Sequence, residues 1–393
     1  MLLYIHVPFC RSKCRYCAFH SMVASDAALV LYVDHLVKEI QARAKDREFA
    51  ALETLYMGGG TPSLLSPLQL ERIVGAVVEH FSLGPNLEFT MEGNPGSLRQ
   101  KGYLQAIRRA GVNRLSIGMQ SLDNDQLKLL GRTHTASQAL SAYNRARSAG
   151  FANISLDLIW GLPQTRVKDW LDQLKRVVKL GPEHISCYGL TVEPDTPLEE
   201  QCLDNQVTLP LEGEQAKMFV HGAELLESEG YLHYEVANFA RMGYLSRHNL
   251  GYWEGSDYLG LGPSAVSTLG GERFANPPDL DEWMAGVAGG NPWPEPETLD
   301  AGTTLREMLM LRLRTSRGLR LRDYRLRTER DFMADFAKII ETLHHNHLIR
   351  IRDGYLRLTK EGMLVSNTII ENIFAQLDLL GTDTASSPAN HDK

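Results

Sequence analysis

Cysteine is scarce in this chain: five among 393 residues, an odd number. Such a count excludes the disulfide framework of a small secreted domain and fits a reducing compartment. Basic residues do not dominate either, since 41 Lys and Arg face 48 Asp and Glu for a net charge of −7. The whole-chain charge therefore gives no reason to expect an electrostatic grip on nucleic acid or an anionic membrane. No apolar run approaches the ~18 residues that a membrane-spanning helix needs. The apolar start, Met1 to Phe9, has neither the basic flank nor the cleavage site of a secretory signal. Together these absences read as a soluble cytoplasmic protein without a transmembrane segment.

What is present is mostly ordinary. A chain 43% apolar and 23% charged has the balance of a globular protein. Its length suits two or three domains at ~150 residues each, or one barrel with an appendage. One feature is not ordinary: Cys10, Cys14 and Cys17 crowd into the first twenty residues.

Short apolar runs alternate with amphipathic stretches over the first 240 residues. The expected strands are Leu3–Val7, Thr54–Met57, Leu87–Met91, Arg114–Gly118, Ile154–Ile159, His184–Leu190 and His233–Asn238, with helices near 26–46, 66–81, 98–110, 135–149, 167–179 and 212–229. Alternation at this spacing implies right-handed parallel crossovers with helices outside the sheet. Six repeats suit a partial (β/α)6 barrel, and periodicity alone does not separate it from a doubly wound open sheet. In either architecture ligands bind at the carboxyl ends of the strands. There the sequence places the cysteines, Gly58-Gly59-Gly60-Thr61-Pro62, Glu92-Gly93-Asn94-Pro95, Gln120-Ser121 and Gly161-Leu162-Pro163.

A Gly-, Pro- and Asn-rich stretch over 255–300 reads as a boundary. Beyond it come a helix over Thr303–Arg314, a hairpin around Asp353-Gly354 and a closing helix capped by Thr359 and running to about Leu380. This is the outline of a small winged-helix-like α+β domain. The division expected is a barrel over 1–240, a connecting region over 241–300, a C-terminal domain over 301–380 and a disordered polar tail over 381–393. Nine Arg between Arg306 and Arg330 face only Glu307, Asp323 and Glu329. A solvated surface laced with ion pairs is the preferred reading over a nucleic-acid face, given the acidic whole.

Three thiols spaced by three and two residues can converge on one metal centre from a short loop. A structural zinc takes four ligands, so His6 or His20 must then complete the set. An iron–sulfur cluster is held by the same kind of thiolates, and three of them leave one iron of a 4Fe-4S cube open. The spacing by itself leaves both readings standing. Phe9, Tyr16 and Phe19 add aromatic bulk that suits a cluster, and the triple glycine lets a backbone approach a ligand closely.

These residues carry a resemblance. The cysteine motif after a first barrel strand, with Gly58-Gly59-Gly60-Thr61-Pro62, resembles the radical S-adenosylmethionine superfamily. The segments Tyr4 to Cys10, Asn113 to Ser121 and Asp157 to Pro163 are similar to the oxygen-independent coproporphyrinogen III oxidase family. Cys17-Ala18-Phe19 and Arg247-His248-Asn249-Leu250-Gly251-Tyr252-Trp253 resemble its heme chaperone (HemW) branch; the oxidase proper has a further cysteine where this chain has Phe19.

The resemblance implies a 4Fe-4S cluster on Cys10, Cys14 and Cys17, whose open iron is chelated by S-adenosylmethionine, with a 5′-deoxyadenosyl radical arising on one-electron reduction. It implies cofactor contacts from Tyr4, Tyr16, Gly59, Gly60, Thr61, Glu92, Gln120, Arg132 and Asp157. Glu92 and Asp157 can accept from ammonium and hydroxyl groups, and Arg132 can pair with a carboxylate. It implies heme as a further ligand, with His248 as an axial ligand beside the aromatic surface of Tyr252 and Trp253. A departure from the pattern is Val266, where relatives carry histidine. Partners implied are a heme-acceptor protein and a flavodoxin- or ferredoxin-like electron donor. The expected function is a heme chaperone. The alternatives are a porphyrin-biosynthesis enzyme that decarboxylates coproporphyrinogen III, a radical methyltransferase, and a zinc-bearing barrel whose arginine-rich domain binds nucleic acid.

Overall fold

Six short apolar runs become six parallel strands. They are β1 (Leu2–Val7), β2 (Leu52–Gly59), β3 (Leu83–Gly93), β4 (Arg114–Gln120), β5 (Ile154–Trp160) and β6 (His184–Gly189), paired in that order. The molecule is known from a computed structural model that describes residues 1–23, 25–46, 48–290 and 294–381. Strands buried on both faces need an apolar run rather than alternation, and β1, with Leu3, Ile5 and Val7 wholly buried, is such a run. Between the strands lie α1 (Asp26–Asp46), α2 (Pro67–His80), α3 (Tyr103–Arg109), α4 (Ala136–Ser148), α5 (Val167–Val178) and α6 (Glu212–Ser228). Local chemistry starts two of them: Ser66 with Gln69, and Thr135 with Gln138, form reciprocal capping boxes at α2 and α4.

The structure departs from the sequence reading at both flanks of the sheet. The run expected as one strand over His233–Asn238 is two, β7 (Leu232–His233) and β8 (Asn238–Ala240), with β8 antiparallel to both β7 and β6. The stretch read as a boundary, 255–300, carries β9 (Tyr258–Leu261), β10 (Val266–Leu269), β11 (Glu272–Ala275) and β12 (Glu297–Thr298). β9 lies parallel to β1, with Leu259 opposite Leu3, and β10 to β12 extend the sheet antiparallel. The result is one sheet of twelve strands in the order β12-β11-β10-β9-β1-β2-β3-β4-β5-β6-β8-β7. A buried network locks this late segment onto α1. Glu39 accepts from Arg43, from Asn276 Nδ2 at 2.8 Å, from Trp283 Nε1 at 3.1 Å and from the Gly262 amide at 2.8 Å.

The C-terminal part has its own core. Leu305, Leu309, Tyr324, Phe336, Leu356 and Ile373 meet there, joined by Phe219 from α6. The expected hairpin pairs Ile349–Arg352 with Tyr355–Leu358 across Asp353 and Gly354, both with positive φ. Thr359 caps as expected, accepting from the Gly362 amide at 3.1 Å, but the closing helix breaks at Val365 into Lys360–Leu364 and Ser366–Leu380. Among the nine arginines, Arg306, Arg312, Arg317, Arg325 and Arg330 make ion pairs within the chain. The expected tail lies, after Gly381, outside the described residues.

Candidate functional site

The carboxyl ends of the parallel strands open into a cavity of about 850 Å³. Its mouth is the loop after β1. That loop is pinned at its base, where Phe9–Cys10 pairs with Met22–Val23. It is clamped midway by Arg15, whose amide donates to the Leu130 carbonyl and whose carbonyl accepts from the Leu198 amide. Cys10, Cys14 and Cys17 are free thiols, half-buried, and all three line the cavity. Thr61 Oγ1 donates toward Cys10 Sγ at 3.5 Å, and Arg132 Nη1 toward Cys14 Sγ at 3.5 Å. Donors aimed at sulfur favour its thiolate form. At Cys17 burial outweighs the hydrogen bond from the Phe19 backbone and pushes the thiol up.

The zinc alternative finds no fourth ligand in His6, and His20, whose buried Nε2 has no hydrogen-bond partner, does not gather with the thiols closely enough for one ion. The His6 ring is buried, with Nδ1 on the Tyr4 hydroxyl at 3.1 Å and Nε2 on the His20 carbonyl at 3.0 Å. Among the described residues no three His, Cys, Asp or Glu side chains gather as closely as a single ion requires. A multi-iron cluster places its thiolates on different irons and makes no such demand. Of the aromatic surroundings, Phe9 is buried and Tyr16 half-buried, while Phe19 lines the cavity with 71% of its surface exposed.

Two glycines bring backbone to the cavity wall. Gly59 has φ +106°, and a Cβ there meets the His6 ring at 2.6 Å. At Gly60 a Cβ meets the Phe9 carbonyl oxygen at 2.6 Å, so the strand end and the cysteine loop touch where no side chain fits. Glu92 accepts from the Tyr56 hydroxyl at 2.7 Å and from the Gly59 amide, yet burial pushes its carboxyl up to about 7. Asp157 accepts from Ser116 and Ser155, and burial raises it too. Gln120 ends β4 at a register shift with φ +63°, a left-handed twist that the bulge imposes. Arg132 also donates to the Gly118 carbonyl at 2.9 Å. Thus Tyr16, Gly59, Gly60, Thr61, Glu92, Gln120, Arg132 and Asp157 share one cavity with the cysteines.

Two expected residues do not. Tyr4 lies behind the wall, its ring 6.1 Å from Tyr56 and 6.3 Å from His248. His248, on α7 (Arg247–Trp253), is 1% exposed and stacks on Tyr56 at 4.9 Å. Both its nitrogens are engaged, Nδ1 with Thr54 Oγ1 at 2.7 Å and Nε2 with the Tyr252 hydroxyl at 3.0 Å, and burial with the nearby Arg114 holds it down at about 3. Val266 pairs with Ala275 in β10, away from the cavity lining. Sequence reasoning passed over Arg114, Ser116, Ser186 and Tyr188, which also line the cavity. Their signal was polar residues at alternate positions of strands otherwise apolar, facing into the sheet's concave side.

Comparison with known proteins agrees with this geometry. Residues 4–177 match the radical SAM superfamily, and residues 299–365 match the HemN C-terminal domain. The chain is 32% identical over 368 residues to a protein named heme chaperone HemW from Lactococcus lactis, covering 94% of this chain and 96% of that one. It is 34% identical to mouse radical S-adenosyl methionine domain-containing protein 1, mitochondrial, over 99% of this chain and 90% of that one. The solved structure of coproporphyrinogen III oxidase HemN from Escherichia coli, described as a radical SAM enzyme, superposes with a TM-score of 0.80 at 25% identity, over 98% and 90% of the two chains. The α/β sheet with strand-end cysteines, followed by this C-terminal domain, belongs to the radical S-adenosylmethionine superfamily, within its HemN-like family.

Proposed function

We propose that the chain is a heme chaperone, binding a 4Fe-4S cluster on Cys10, Cys14 and Cys17, S-adenosylmethionine in the adjoining cavity, and heme for delivery to an acceptor protein. The observation that carries the cofactor reading is the single cavity shared by three free thiols, two backbone-exposing glycines, two carboxylates and Arg132. When bound, the cluster and cofactor supply one-electron chemistry. The chain's own residues hold and orient. Arg132 sets a positive fork beside Cys14 that fits a carboxylate, Glu92 offers an acceptor for an ammonium, and Asp157 offers one for hydroxyls. A cytoplasmic setting and a flavodoxin- or ferredoxin-like electron donor complete the proposal. No helix among the described residues is long and apolar enough to cross a membrane.

The heme role rests on the HemW names of relatives. Anaerobic titration of one preparation for iron, S-adenosylmethionine and heme tests the whole reading; iron-free protein carrying zinc, or no heme-induced Soret band, overturns its respective part. His248 would hold the heme only after a rearrangement, because its Nε2 must first leave the Tyr252 hydroxyl. Tyr252→Phe removes that competitor and is expected to raise heme affinity about threefold, while His248→Ala abolishes the coordinated spectrum. An unchanged Soret band in His248→Ala removes the residue from the heme site. The decarboxylase alternative is tested by anoxic incubation of the reduced protein with S-adenosylmethionine and coproporphyrinogen III, where accumulating protoporphyrinogen overturns the chaperone reading.

Glu92 gives a pH signature. With its carboxyl near 7, the empty site is partly protonated at neutral pH, and an ammonium ligand binds only the ionised form. Affinity for S-adenosylmethionine is expected to climb about tenfold per pH unit below 7 and to level off above it. In Glu92→Gln, calorimetric titration from pH 5.5 to 8.5 should give a weaker, flat profile; a slope retained in that variant assigns the titration to another group.

A further inference from the structure

Beneath Asp157 runs a line of buried hydrogen-bonding side chains that no motif singles out. Ser155 Oγ lies 3.1 Å from Asp157 Oδ1 and 2.8 Å from His184 Nδ1, and His184 Nε2 lies 2.8 Å from the Tyr234 hydroxyl. The backbone N–H of Ser246, the residue that caps α7, faces the phenol oxygen. All of these are almost fully buried: Ser155 and Ser246 are 0% exposed, His184 1% and Tyr234 4%.

Proton counting fixes the direction of this chain. Burial and the facing Arg114 press His184 well below its ordinary value, so the ring is neutral and carries one proton. If that proton sat on Nε2, it would point at the Tyr234 oxygen, which the Ser246 N–H also faces, and the phenol proton would lose the Nε2 acceptor. Ser155 would then spend its proton on Nδ1 and donate nothing to Asp157. With the proton on Nδ1, every group is satisfied. Tyr234 donates to Nε2, Nδ1 donates to Ser155 Oγ, and Ser155 donates to Asp157, each bond polarising the next. Ser116 and Ser186 donate to the same carboxylate.

We infer that Tyr234 and His184 are positioning residues for Asp157, holding it as an oriented, ionised acceptor whose remaining lone pairs face the cavity. The far end of the chain is held by the C-terminal domain. Ser316 N–H donates to the Tyr234 carbonyl at 3.1 Å, Val236 N–H donates to the Arg314 carbonyl at 3.0 Å, and Glu235 bridges Thr315. The segment carrying Tyr234 is thus strapped to one domain while its hydroxyl feeds a carboxylate in the other. This inference rests on the proposal that Asp157 contacts S-adenosylmethionine.

The test uses the full chain. Nitrogen-15 histidine NMR, with His184 assigned by difference from His184→Asn, should find the ring neutral with its proton on Nδ1. S-adenosylmethionine titration of the anaerobically reconstituted protein should show Tyr234→Phe weakened about 3- to 10-fold. His184→Leu should lose at least as much, and His184→Asn, whose amide N–H can still donate to Ser155, should recover most of the loss. A wild-type proton on Nε2 overturns the inference. So does wild-type affinity in Tyr234→Phe and His184→Leu when Asp157→Asn has lost binding. Unweakened binding in Asp157→Asn instead removes the underlying cofactor contact, and is read separately from the tautomer.

Discussion

Replacing Cys14 with alanine is expected to leave the chain nearly colourless and nearly free of iron after anaerobic reconstitution, against about four irons in the parent protein. The argument is one of supply. The three thiols are the only cysteines on the cavity, since Cys187 is buried in β6 and Cys202 sits on the helix Pro197–Leu203. His6 is a poor substitute, because it must first give up the Tyr4 hydroxyl or the His20 carbonyl. Two thiolates hold a cube poorly, and in Cys14→Ala the half-buried Arg132 also loses its sulfur partner. Absorbance near 400 nm, iron analysis and low-temperature electron paramagnetic resonance of the reduced protein read the outcome. Cys202→Ser, off the cavity, should keep the full chromophore. Full iron in Cys14→Ala would place the cluster elsewhere.

The cluster loop was legible in the sequence because its chemistry is local: three cysteines, a preceding apolar strand and a following glycine run all lie within reach of a pattern. The first six strands were legible for a similar reason, since a strand buried on both faces shows an apolar run, as LLYIHV of β1 does, and the other five keep a shorter apolar stretch among polar residues. β9 was not. Its residues, Tyr-Leu-Gly-Leu, sit among glycines that read as a turn, and what makes them a strand is pairing with β1 some 250 residues earlier in the chain. His248 illustrates a different limit. A motif identified the residue but not its surroundings, and only the fold shows its ring stacked on Tyr56 with both nitrogens occupied. The polar floor under Asp157 was missed because a lone serine or arginine on a strand has no meaning until neighbouring strands bring Ser116, Ser155, Ser186 and Arg114 to one place.

Gly60→Ala is the smallest change with a large expected effect. The added methyl would lie 2.6 Å from the Phe9 carbonyl oxygen and 2.9 Å from the Phe9 carbonyl carbon and amide nitrogen, all backbone atoms that cannot rotate aside. Either the turn after β2 or the segment Phe9–Cys10 must move. Gly60 N–H also donates to the Val7 carbonyl at 2.8 Å, so the turn is held against β1 and cannot retreat cheaply. Overpacking of this kind costs about 1–3 kcal/mol, measurable as a fall in the urea midpoint at unchanged slope. Function should suffer more than stability, because Phe9 is covalently joined to Cys10 and Gly60 adjoins Thr61, whose hydroxyl donates to the Cys10 sulfur. Affinity for S-adenosylmethionine is expected to drop at least tenfold, with a shifted resonance spectrum from the displaced cluster loop. The control is Gly75→Ala in α2, where an added methyl meets nothing within 4 Å, and which should gain about 0.5–1 kcal/mol from helix propensity with binding untouched. Equal binding in the two variants would mean that the glycine run is a turn and not a wall of the cofactor site.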